Sequence, residues 1–261
     1  MKTRWLRKYG AFARIGFAAT QAGPGELAAR VAFFFMILGV FSSLWRAVGH
    51  NAGGAASATM VWYLAITEWV LLSAPMVQFE IEAEVRRGDV AYQIARPVSY
   101  VGAHVARAIG TLAVRAPVLL AAAIVGGLLF AGPLPPAATT VQAIALGAVG
   151  ALVMTTYHVA LGLLAFWLGD IAPVYWIWQK LSFVLGGLLL PLTYYPALVS
   201  KIAVFTPFPA LLTGPASFVL DHPYSTPLGV LGMLVLWLAV GSACAALVFR
   251  HATRTLQLNG G

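Results

Sequence analysis

Two ionisable residues sit where charge is costly. Glu68 (within TMVWYLAITEWVLLSA) and His158 (within TTYHVALG) lie inside long apolar runs. A charge at the centre of a bilayer costs at least about 2.5–3.5 kcal/mol on insertion scales, so such residues are functional candidates by default. Glu68 has the chemistry to contact a polar substrate group or to carry a proton. The plainer reading is pairing with a polar residue of a neighbouring helix or a partner subunit. For His158 the plainer reading is an interhelical hydrogen bond.

The remaining charge is concentrated elsewhere. The stretch EIEAEVRRGDVAYQIARPVSYVGAHVAR, residues 80–107, holds Glu80, Glu82, Glu84, Asp89 and four arginines. A segment this charged must leave the hydrocarbon. Gly88 and Pro97 interrupt it, because glycine breaks a helix and the residue before a proline disfavours one. The pattern predicts a short helix between two breakers, lying across the cytoplasmic face and suited to docking on a soluble partner. A solvated loop that only sets topology is the alternative.

Familiar catalytic patterns do not occur. There is no G-x-x-x-x-G-K-[ST], no H-E-x-x-H, no G-x-S-x-G and no C-x-x-C. The histidines at 50, 104, 158, 222 and 251 have no metal-ligand spacing, and Cys244 is the single cysteine. The chain is therefore expected to have no catalytic residue, no bound metal and no disulfide.

The elements that position these residues follow from composition. Of 261 residues, 61% are hydrophobic and 9% charged, with mean hydropathy +0.86; soluble domains carry about 25% charged residues. A helix crossing the hydrocarbon needs about 20 apolar residues. Six stretches qualify: 28–45, 59–79, 108–131, 140–168, 173–192 and 228–249. The expectation is an all-α integral membrane protein, one transmembrane domain over residues 1–261, divided into an amphipathic segment (1–27), a six-span bundle (28–249) and a tail (250–261). Most of the sixteen Lys and Arg fall on one side if both termini are cytoplasmic, as the positive-inside rule requires. Gly186-Gly187 in the fifth span is expected to permit close helix approach to a second subunit, with simple flexibility as the alternative. No signal-peptide pattern opens the chain.

Two more segments stand out. Residues 3–20 mix Lys and Arg with Trp5, Tyr9, Phe12 and Phe17, which suits a helix lying in the membrane interface. Residues 193–227 hold six prolines separating apolar pieces too short to cross and too apolar for water, which suits re-entrant or interfacial helices.

With the elements placed, the chain resembles the permease subunit of an ABC-2 type ATP-driven transporter, in the bacterial branch often built from two different permeases beside one ATPase. The resemblance rests on the six spans, the basic amphipathic start, EIEAEVRRGDVAYQIARPVS and LLLPLTYYPALVSKIAVFTPFPALLTGPASFVL. Gln93-Ile94-Ala95 departs from the leucine-rich run expected before the Arg-Pro. The resemblance implies that residues 80–97 form the coupling helix region seated in the ATPase. Glu80, Glu82, Glu84, Arg86, Arg87 and Asp89 would supply charge pairs there, Gly88 the turn, and Arg96 and Pro97 the Arg-Pro end. Residues 191–220, including Pro191, Tyr194, Tyr195, Pro196, Pro207, Pro209 and Pro215, would form external re-entrant helices. It further implies a bacterial plasma-membrane location, ATP and Mg on a cytoplasmic ATPase dimer, a second permease as partner, and export; the apolar interior itself suggests an amphipathic or lipid-like substrate, and the loop placement of the basic residues points to membrane topology and to no nucleic acid. The alternative is a stand-alone secondary transporter with Glu68 and His158 as ion-coupling groups.

Overall fold

The computed structural model describes the backbone of residues 2–49, 54–94, 97–220 and 222–259, and side chains within 7–47, 58–94, 97–220 and 222–253. Arg96 and His50 lie outside the described residues. Every regular element among the described residues is helical.

α1 (Lys2–Ala22) is followed by α2 (Pro24–Gly49), α3 (Gly54–Ser73), α4 (Val77–Arg87) and α5 (Val90–Ile94). Next come α6 (Tyr100–Phe130), α7 (Ala137–Leu163), α8 (Ala165–Leu168) and α9 (Ala172–Leu185). Then α10 (Ala197–Val204), α11 (Phe208–Leu211) and α12 (Thr213–Ala216) precede the last helix, α13 (Pro227–Asn259). Five stretches are long and apolar enough to cross a membrane: Pro24–Ala47, Ala58–Arg87, Tyr100–Phe130, Ala137–Leu168 and Pro227–Thr253.

The stretch expected as a fifth of six spans, 173–192, is a shorter object. Its helix, α9, has 14 residues and rises about 21 Å, against a hydrocarbon layer of about 30 Å. It stops because Gly186 and Gly187 follow, Gly187 with φ +64°, a left-handed conformation that side-chain-bearing residues avoid. The glycine pair thus ends the helix, and it also lets neighbouring segments approach closely: a Cβ at Gly187 would meet the Thr213 hydroxyl, and one at Gly186 the Leu212 side chain. The third long helix also differs from expectation, starting at Tyr100 rather than 108. Ser99 caps it, its hydroxyl accepting from the Gly102 amide at 3.2 Å.

α3 is the centre of the bundle. Every residue from Val61 to Val70 is buried, with α2, α6 and α7 packed around it. Trp62 and Trp69, two turns apart, face the same way. Trp62 donates its indole hydrogen to the Pro133 carbonyl at 3.1 Å and Trp69 to Ala116 at 2.8 Å. Each ring lies where a neighbouring helix has no side chain, Trp62 over Gly127 of α6 and Trp69 over Gly147 of α7. Small residues at helix contacts are the usual means of tight packing in lipid, where burial brings no hydrophobic gain.

α1 runs along the first half of α6. Gly110 meets the Ala13 backbone so closely that a Cβ there would collide with it, and Gly16 meets the Arg107 carbonyl in the same way. Lys8 donates to the Pro97 carbonyl at 3.1 Å. Gly102, Ala106 and Gly110, four residues apart, form the small-residue row that makes this contact possible. Ile15 and Phe17, on either flank of Gly16, remain exposed.

The prolines between residues 191 and 220 act as helix starters. Pro191, Pro196 and Pro207 each precede a helical turn, and Pro209 lies in the first turn of α11. Tyr194 is exposed and Tyr195 partly buried. From Phe208 to Phe218, Pro209 and Pro215 included, every residue is buried, folded back against α3, α7 and α13.

Candidate functional site: a broken helix, its charged end and a capped glycine stop

Three places gather the polar groups, all attached to α3. The first is the break that separates α3 from α4. Pro75 has no N–H, so the helical ladder fails there, and residues 74–76 are not helical. Two side chains satisfy the released carbonyls. Arg30 of α2 donates to the Leu72 carbonyl at 3.2 Å. His158 of α7, 3% exposed, donates its Nδ1 hydrogen to the Pro75 carbonyl at 2.9 Å. Tyr175 stands edge-on to both His158 (5.8 Å between ring centres) and Phe79 (5.2 Å). His158 is therefore an interhelical clamp on the break. Glu68, seven residues earlier on α3, is buried, and among the described residues no side chain pairs with it. The structure does not bring Glu68 and His158 together in any hydrogen bond.

The second place is the charged end beyond the break. Gly88, with φ +76°, closes α4. The Asp89 amide reaches back to the Glu84 carbonyl at 3.0 Å, the left-handed glycine cap that ends many helices. A short α5 follows. The acidic residues turn inward or pair locally. Glu84 Oε2 accepts from the Tyr100 hydroxyl at 2.9 Å and from His104 Nε2 at 3.0 Å, and Tyr100 stacks on Phe249 of α13 at 5.4 Å. Glu82 takes Arg86 at 3.3 Å, Asp89 takes Arg87 at 3.0 Å, and Glu80 faces Arg107 at 3.4 Å. What points outward is different: the Arg86 and Arg87 side chains are 64% and 65% exposed, and Tyr92 is 79% exposed. Pro97 is exposed as well.

The third place was not singled out in the sequence. Where α9 stops at the glycine pair, three successive carbonyls lose their helical partners, and three hydroxyls take them. Thr213 of α12 donates to Gly186 at 2.7 Å, Tyr63 of α3 to Gly187 at 2.6 Å, and Thr67 of α3 to Leu188 at 2.8 Å. Tyr63 and Thr67, one turn apart inside an apolar span and paired with a Gly-Gly, were the available signal. Among the described residues no group of three or more His, Cys, Asp or Glu is placed to hold a metal ion.

A family model described as ABC-2 family transporter protein covers residues 27–260. Comparison with curated proteins and with solved structures gave no match.

Proposed function

Because the chain belongs to the ABC-2 transporter family and is a multi-pass membrane permease, we propose that it forms, with a second permease, the path for an amphipathic or lipid-like substrate exported by a separate cytoplasmic ATPase. Both termini lie on the cytoplasmic side of a bacterial plasma membrane in this reading, and α5 is the coupling helix. ATP and Mg belong to the ATPase, and this chain only receives its motion. α9 and the segment folded back behind it together take the place of the sixth crossing, with 208–218 as the re-entrant cap on the outer side. α1 lies at the interface through Ile15 and Phe17.

The observation that carries the proposal is the division of labour at the charged end. Glu84 is committed to Tyr100 and His104, which fixes the last turns of α4. Arg86 and Arg87 at the tip of α4 and Tyr92 on α5 are left exposed. The surface offered to the ATPase is then basic and aromatic, and its complement is an acidic groove with room for one aromatic ring. Motion of the tip reaches the transmembrane part through the break at Pro75.

The secondary-carrier reading needs Glu68 and His158 to act together; His158 is engaged by the Pro75 carbonyl, which leaves Glu68 alone. The test is a mild-detergent purification of the tagged chain from its own membrane, with co-purifying chains identified. R86E/R87E and Y92A are expected to lose a co-purifying ATPase while the permease stays inserted and folded. Retention of the ATPase by both variants, or its absence from the unaltered protein, overturns the proposal.

A further inference from the structure

We propose that a cleft between α1, α2, the Pro75 break and α6 binds the phosphate of an anionic lipid headgroup. The cavity has a volume of about 250 Å³. Arg107, Arg115, Thr20 and Thr111 line it, with Glu26 and Glu80 as the acidic groups and Pro75 and Phe79 on the apolar wall.

The charge count is unequal. Arg115 Nη2 and Arg30 both bind one oxygen of Glu26, at 2.7 and 2.9 Å. Arg107 has only the longer 3.4 Å contact with half-exposed Glu80. Three guanidinium groups therefore share two carboxylates. Arg115 is 8% exposed and its Nη1 has no partner. Nη1 is itself shut off from the open cleft, so the donors that a ligand there can meet are those of Arg107, and in net positive surroundings they are completed by an anion. Phosphate suits them because a guanidinium offers two parallel donors to two phosphate oxygens. The two threonine hydroxyls donate to the Gly16 carbonyl, which leaves their lone pairs rather than their hydrogens toward a ligand, so the arginines carry recognition.

The position favours a lipid over a free ion. The cleft lies where α2 begins and α3 ends, the boundary of two apolar helices. On the orientation given under Proposed function this is the cytoplasmic leaflet, the one rich in anionic headgroups. Pro75 and Phe79 give the glycerol and first acyl carbons an apolar wall. The site would tie a lipid directly to the break.

The experiment needs no transport assay, so its failure is separate from failure of the permease reading. The purified chain is placed in phosphatidylcholine bilayers with or without phosphatidylglycerol, and in a third arm with inorganic phosphate. The unfolding temperature and retained lipid by native mass spectrometry are recorded. Phosphatidylglycerol is expected to raise the unfolding temperature by about 4 °C. The rise should fall by half or more in R107Q and R115Q, and persist in R250Q at the far end of α13. R107Q, at a side chain that is about a third exposed, keeps the test decisive if R115Q fails to fold. No preference for phosphatidylglycerol, or an equal preference in R107Q, overturns the proposal. Inorganic phosphate alone reproducing the shift overturns the lipid assignment.

Discussion

His158 and Pro75 are joined across the bundle by a 2.9 Å hydrogen bond, Nδ1–H to carbonyl, at the point where the central helix breaks. Proline creates the break, and a histidine 83 residues later in the chain occupies the acceptor the break exposes. Arg30 does the same for Leu72. The hinge between the membrane-spanning α3 and the charged α4 is therefore held from two sides.

H158A is expected to lower stability by about 1–3 kcal/mol, the cost of a buried carbonyl left without its donor. P75A lets the ladder continue and removes much of the need for the donor. The double variant H158A/P75A should therefore cost less than the sum of the two, a non-additivity read from thermal unfolding of the four proteins in detergent. Simple additivity would separate the histidine from the break.

The hydroxyls on the end of α9 make a second testable unit. Y63F and T213V each leave a buried carbonyl unpaired and are expected to cost about 0.6–2 kcal/mol, the range measured for interhelical hydrogen bonds in membranes. T67V should behave alike. Since the three carbonyls are consecutive, the losses should couple when combined, and cysteine labelling at Tyr194 or Leu198 should report loosening of the segment that follows α9.

Contact between α1 and α6 depends on Gly110. G110L places a side chain where the Ala13 backbone lies, and overpacking of this kind costs about 1–3 kcal/mol or more. The expected outcome is release of α1, seen as faster proteolysis within residues 7–20 while the rest of the chain resists. Gly10 faces open space, so G10A should leave proteolysis unchanged or slow it, alanine being the better helix former.

Among the three glutamates of α4, E84A should be the most damaging. Glu84 accepts two buried hydrogen bonds, whereas Glu80 and Glu82 each have one arginine partner that reaches solvent, at 3.4 and 3.3 Å. A loss of about 1–3 kcal/mol is expected for E84A and under about 1 kcal/mol for E80A or E82A, measured by thermal unfolding. A triple alanine variant would therefore mix a folding defect with any effect on an ATPase, and the exposed Arg86, Arg87 and Tyr92 are the cleaner sites to alter.

Composition and hydrophobic length alone determined that this is a helical, multi-pass membrane protein, because charge in hydrocarbon is prohibitive and 24 charged residues cannot cover a soluble surface. They also located the charged end, since Gly88 and Pro97 act through local backbone preferences that need no partner. Tertiary structure alone decided the rest. The Gly186-Gly187 pair could be read as a local stop, but that a 14-residue helix can end there inside the bundle depends on three carbonyls being capped by Tyr63, Thr67 and Thr213, two of them more than a hundred residues away. That Glu84 faces inward depends on Tyr100 and His104 arriving from α6, which no spacing within α4 reveals. That His158 serves a backbone carbonyl rather than Glu68 depends on how α7 packs against the break. Hydropathy is a property of each residue in turn, whereas the partner of a buried donor is a property of the packed helices.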